Sequence, residues 1–172
     1  MKTLKFTGII SAILLMLSIT SCKKDKYQPV GDYGNANVIS SNTVTLTAWS
    51  TLSDDGVNFH FESNVLWGEI TQEIVDNGAV MVYFKFIGSD WIALPFTISD
   101  DNYSSLNMNY YFSVGEVNIQ ATGFDDLIDY NASDFNGTTV RVVVITQEGR
   151  MSHPNVDLSN YEEVKRVFNL KD

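Results

Sequence analysis

The chain has 172 residues, with 21 acidic against 11 basic side chains, a net charge of −10 and one cysteine, Cys22. So acidic a surface repels nucleic acid and anionic headgroups, which excludes a broad phosphate-binding patch, and a lone thiol excludes a disulfide framework within the chain. Stability must come from an ordinary core, for which 44% hydrophobic and 12% aromatic residues are ample material at this length.

Lys2 and Lys5 precede an apolar stretch, Ile9 to Leu17, and small residues close it at Ile19-Thr20-Ser21 before Cys22. That three-part layout is an export signal, so residues 1–21 are expected to be removed. A membrane-spanning helix is the competing reading, but the uncharged run from Phe6 to Cys22 holds several Thr, Ser and Gly and falls short of the ~20 apolar residues a bilayer needs. Ile19-Thr20-Ser21-Cys22 resembles the lipobox of bacterial lipoproteins. The resemblance implies that the Cys22 sulfur carries diacylglycerol, that the signal is cut just before it, and that the new amine receives a fatty acyl group such as palmitate. Two or more chains hold a protein stably on a membrane where one does so only marginally. Removing the signal also removes Lys2 and Lys5, so the mature chain is more acidic still.

Residues 22–35 are polar, carry Pro29, Gly31 and Gly34, and lack an apolar period, which makes them a lipidated tether; Lys23 to Asn35 would span ~45 Å fully extended. Residues 36–172 then form one domain. Val44, Leu46 and Ala48 alternate with threonines, and beyond the turn signal Asp54-Asp55-Gly56, Val57, Phe59 and Phe61 alternate with Asn58, His60 and Glu62. These two runs predict a hairpin with one buried face. Thr71 to Gly78 reads as a short helix with a threonine cap and a glycine stop. Ala79 to Ile87 is apolar on both parities apart from Lys85, as a central strand covered on both sides would be. In the run Trp91 to Ile98, Pro95 argues for an edge strand or a bulge.

The next hairpin is predicted with Gly115-Glu116 as its turn, pairing Val114 with Val117, Phe112 with Ile119 and Tyr110 with Ala121. Thr139 to Thr146 is a further strand, apolar save Arg141 and its threonines. Ser159 to Glu162 fits a capping box, and Tyr161, Val164, Val167 and Phe168 share one helical face, predicting a C-terminal helix that closes one end or edge of the sheets. The sum is an all-β fold, an antiparallel β-sandwich with a short internal helical turn and a C-terminal helix; a β-barrel is the alternative.

Gly34 to Ile39, Ile70 to Gly78 leading into an aromatic strand, Thr139-Val-Arg-Val-Val-Val144, and Val156 to Lys165 together resemble the globular C-terminal domain of small Bacteroidota-type lipoproteins. Many such relatives carry collagen-like Gly-X-Y repeats between lipid and domain. Here Gly31-Asp-Tyr-Gly34-Asn-Ala is at most two triplets and lacks proline, so no triple helix can form. The resemblance implies an outer-membrane lipoprotein. It assigns no catalytic residue, and the departure argues against carrying over a trimeric stalk role from repeat-bearing relatives.

The chemistry available is sparse. His60 and His153 are the only histidines, and no serine elbow, zinc helix or phosphate loop is present, so no catalytic residue, metal site or cofactor is assigned and the chain is expected not to be an enzyme. The acidic doublets Asp54-Asp55, Asp100-Asp101 and Asp125-Asp126, the last near Asp129, could contribute oxygens to calcium, but Asp also favours turns on its own. On the outward parity of the second hairpin, Asn107, Asn109 and Tyr111 face Asn118, Gln120 and Thr122. Asn109, Tyr111 and Gln120 are the candidate ligand-binding residues: amides and a flat aromatic plate suit neutral polyhydroxylated ligands, although the same residues describe a wetted sheet face. Trp49 and Trp91 are further plates if the core leaves them free.

The expected function is therefore that of a membrane-anchored lipoprotein presenting a non-enzymatic β-domain for interaction or structural roles in the cell envelope, its partners being the membrane and an envelope protein or glycan. A glycan-binding module is the alternative, and a glycoside hydrolase using two carboxylates the third reading. Lys23 and Lys24 follow the cysteine in place of the acidic run associated with surface export, so orientation stays open between periplasm and cell surface.

Overall fold

Why these residues form sheets is visible in their alternation, and which sheets they form follows from what each strand must bury. The computed structural model describes residues 37–53, 59–85, 88–99, 105–124 and 131–171. In chain order these residues give β1 (Val38–Thr45), β2 (Ser50–Ser53), β3 (Phe59–Leu66), α1 (Gln72–Asn77), β4 (Ala79–Lys85), β5 (Trp91–Ala93), β6 (Phe96–Ser99), β7 (Ser105–Ser113), β8 (Glu116–Phe124), β9 (Thr139–Ile145), α2 (Gln147–Ser152) and α3 (Tyr161–Val167). A four-stranded sheet runs β1-β9-β4-β5 and a five-stranded sheet runs β2-β3-β8-β7-β6, with every neighbouring pair antiparallel. The fold is an antiparallel β-sandwich, not a closed barrel.

The four-stranded sheet buries both faces. β9 is valine-rich on both parities and lies between β1 and β4, where a two-sided apolar strand belongs. Its Val140, Val142 and Val144 join Val80, Val82 and Phe84 of β4 in the core between the sheets, where Met108, Val117, Ile119 and Ala121 meet them from β7 and β8. On the other face Val143, Ile145, Val38 and Tyr83 form a second core, covered by Tyr161, Val164 and Phe168 of the C-terminal segment. α3 thus lies across a sheet face, whereas an end or edge was expected; the outward apolar residues of β9 and β4 need a cover. Its cap is Asn160, one residue beyond the expected Ser159, with Asn160 Oδ1 accepting from the Glu163 N–H at 3.1 Å.

Arg141 is the one charge on β9 and is only 4% exposed. Its Nε donates to Ser41 Oγ at 3.0 Å and one Nη to the Tyr161 hydroxyl at 2.6 Å, while the other Nη reaches the Lys171 carbonyl. The guanidinium therefore ties β1, α3 and the end of the chain together.

Two expected pairings differ. The run Thr43 to Ala48 does not pair with Phe59 to Glu62, the described part of the second run: β1 pairs with β9, Val44 opposite Val140, and the chain crosses to the other sheet before β2 pairs with β3, Thr51 opposite Phe61. Leu46 holds the end of β1 on β9, donating to the Thr138 carbonyl at 2.7 Å and accepting from the Gly137 N–H at 2.8 Å. The second hairpin is slipped by two residues, Phe112 facing Val117 and Tyr110 facing Ile119, so its turn is Val114-Gly115. Gly115 takes φ +86°, which glycine adopts freely, and its N–H and C=O are taken by the Ile70 carbonyl and the Trp67 N–H. An even slip leaves every side chain on its expected face.

α1 is as expected, with Thr71 as its cap and the Gly78 N–H closing on the Ile74 carbonyl at 2.9 Å. Pro95 sits between β5 and β6, the two edge strands on one side of the sandwich, in agreement with its edge reading.

Tyr83 yields a prediction about alkali. It is fully buried, its hydroxyl donates to the Leu158 carbonyl at 2.8 Å, and burial foremost, then the charges of Tyr110, Tyr161 and Asp157, raises its pKa above the ordinary 10.0. A folded-state pKa above the unfolded one means the native state holds the proton more tightly. This contribution is complete below pH ~10 and is lost as pH climbs beyond it. Urea unfolding between pH 8 and 11 should show stability falling above pH ~10, with a shallower fall in Tyr83→Phe; equal slopes in the two proteins contradict this assignment.

Candidate functional site

The outer face of the five-stranded sheet is built by simple alternation. β3, β7 and β8 turn Phe61, Met108, Tyr110, Phe112, Val117, Ile119 and Ala121 into the core, so their intervening residues must face out. Register sets those residues side by side: Asn109 opposite Gln120, Tyr111 opposite Asn118 and Asn107 opposite Thr122, with Glu62, Asn64 and His60 of β3 in the next column and Thr97 of β6 beyond Asn107. None of these ten residues is buried. The three candidates Asn109, Tyr111 and Gln120 are thus neighbours on one surface.

Tyr111 is 50% exposed, and its hydroxyl bonds to Glu62 Oε1, two strands away. The phenol therefore reaches across β8, where Asn118 and Gln120 lie, and half of its surface is left to solvent. Glu62 is the residue the sequence did not single out: its place on the polar parity was plain, but the column that puts it within reach of Tyr111 required β3 to pair with β8, fifty residues on. Below the plate, Asn118 Oδ1 is buried without a hydrogen-bond partner among the described groups. At the hairpin end, Glu116 accepts from Asn64 Nδ2 at 3.0 Å and from Ser113 Oγ at 2.9 Å, and these two bonds hold its carboxyl below the usual range. Thr97 and Asn107 are hydrogen-bonded at the opposite border.

The result is a field of amides, hydroxyls and two carboxylates around one exposed aromatic ring, bordered by His60 at one end and the exposed Leu66 at the other. Side-chain amides offer a donor and an acceptor each, which matches the hydroxyl pairs of a polyol or sugar ring. Trp49 and Trp91 do not contribute plates. Trp49 packs on Phe135 at 5.1 Å, and Trp91 lies against Tyr161 at 5.6 Å with Lys85 Nζ 5.3 Å over its ring.

His60 is on the outward face as its parity implied, opposite Thr122. His153 stands edge-on to Phe168 at 5.2 Å, in a cleft of about 640 Å³ between the end of α1 and α2 that no motif foretold. The cleft's cation is engaged: Arg150 donates to the carbonyls of Asn77 and Gly78 at 3.0 and 2.8 Å, closing the C-terminus of α1. Among the described residues no three His, Cys, Asp or Glu side chains gather to hold a metal. Cys22, Asp54-Asp55, Asp100-Asp101, Asp125-Asp126 and Asp129 lie outside the described residues. Family models, curated proteins and solved structures give no match to this chain.

Proposed function

We propose that this chain is an outer-membrane lipoprotein, held by acyl groups on Cys22, whose β-sandwich is a non-enzymatic display domain for a partner in the cell envelope. Residues 1–21 are its signal, 22–35 its tether and 36–172 its domain. The observation that supports a binding role is an asymmetry between the sheets. One has its outer face closed by α3 and a second apolar core; the other leaves an amide-rich face open around Tyr111. Among the described residues, the two acids that shift, Glu116 and Asp157, both move down, away from the raised value a general acid needs.

A glycan is favoured over a protein as the partner of this face by one feature, the half-exposed tyrosine set among amides. Protein-binding surfaces centre on apolar anchors in desolvated pockets, whereas the register neighbours of Tyr111 are Asn109, Asn118 and Gln120, and the exposed Leu66 and Leu52 stand at the borders of the face. Anchoring has its own test. Metabolic labelling with an alkyne fatty acid should mark the wild-type protein and place it in the membrane fraction, while Cys22→Ala is unmarked and soluble; equal labelling of both ends the lipoprotein reading.

A further inference from the structure

A second site lies on the side of the sandwich where β1 of one sheet passes over β3 of the other. β2 covers β3 only from Phe59 to Glu62, because the chain before Ser50 leaves to cross from the other sheet. Beyond Glu62, β3 continues to Leu66 with β8 on one side and no described strand on the other. The direction of its backbone groups follows from one hydrogen bond. The Trp67 N–H goes to the Gly115 carbonyl at 2.7 Å, in line with the β3–β8 register, so alternation turns Val65 and Ser63 toward β8 and aims the N–H and C=O of Asn64 and Leu66 at the open edge.

That edge borders a notch of about 340 Å³ between residues 44–48 and 63–67, with no charged side chain in its lining. Leu66 is 75% exposed beside it. At its closed end the Trp67 indole donates to Ser40 Oγ at 2.8 Å, bridging the sheets. Between Ser40 and Val44 on the same face of β1 comes Asn42, whose Nδ2 is buried without an acceptor.

We propose that this notch receives an extended, uncharged segment of a partner polypeptide, which adds a short strand to β3 beyond the end of β2. Free backbone donors and acceptors in alternation are complementary to another backbone and to little else. The uncharged lining selects apolar or hydroxyl side chains, and the volume admits a few residues. A second copy of this chain fits less well, because two surfaces of this net negative charge repel. The notch meets the Tyr111 face at Asn64 and Leu66, but it uses their outward backbone groups, so its occupancy does not depend on that face binding a glycan.

The test uses the intact protein in detergent micelles, ¹⁵N-labelled, with the blocked peptide acetyl-Thr-Val-Thr-Val-Thr-amide as probe. Peptide should shift the amides of Asn64 and Leu66 and slow their hydrogen exchange, and its fully N-methylated form should bind at least roughly tenfold more weakly. Leu66→Pro removes one edge donor at a position where an edge strand tolerates proline, and should weaken the peptide similarly; if that variant fails to fold, the N-methyl comparison stands alone. Equal binding of both peptides, shifts that avoid Asn64 and Leu66, or no binding overturns the proposal. So do shifts at those amides on concentrating the protein without peptide, which would assign the edge to a second copy.

Discussion

Phe168→Ala should cost about 3–5 kcal/mol of folding stability, the range for removing a fully buried aromatic side chain. Phe168 is 0% exposed and ends the helix that covers Tyr83, Val143, Ile145 and Val38. The cavity is only part of the loss. With Phe168 gone, α3 keeps Tyr161 and Val164 as its fully buried contacts and Val167 as a partly buried one, which weakens the hold of a helix of 7 residues on the sheet. Its undocking would wet the outer side of β9 and uncouple Arg141 from Tyr161, leaving a buried cation short of a partner. At a urea slope of roughly 1–3 kcal/mol/M, the midpoint should fall by more than about 1 M. Leu66→Ala, made at an exposed position, should stay within about 0.5 kcal/mol of wild type. Similar midpoints for Phe168→Ala and wild type would mean that α3 is not the cover of this sheet.

The second large effect is expected on binding. In a panel of neutral oligosaccharides, any ligand retained by the wild-type protein should be lost or weakened by at least roughly tenfold in Tyr111→Ala, with folding unchanged. Tyr111→Phe separates two roles of the ring. It keeps the plate and removes the bond to Glu62, so binding that survives in Phe and disappears in Ala identifies stacking as the source of affinity. Loss in both variants would assign the affinity to the orientation that Glu62 imposes. Asn109→Ala and Gln120→Ala should weaken the same ligand, since their amides stand opposite one another beside the plate. A panel in which wild type retains nothing removes the glycan reading and leaves the face to a protein partner.

Much of the fold was legible because burial imposes period two. β4 and β9 read as central strands from apolar residues on both parities, α1 from Thr71 and Gly78, and the outward group Asn109, Tyr111 and Gln120 from strict alternation in β7 and β8. What the sequence hides is which strand each one meets. Nothing local tells Val44 to lie opposite Val140, some hundred residues on, when a turn signal and an apolar run stand close by. The slip of the β7–β8 turn has a tertiary cause too, because Gly115 is held by Trp67 and Ile70. The site shows the same division: its members could be read from parity, but Glu62 and the edge at Asn64 and Leu66 came from pairings between distant strands.

Anchoring through acylated Cys22 is tested by the mass of the amino-terminal peptide from protein purified out of membranes. A peptide that begins at Cys22 and carries a diacylglyceryl group plus an amide-linked acyl chain is the expected species. A peptide that begins at Met1, or one with a free Cys22 thiol, contradicts it.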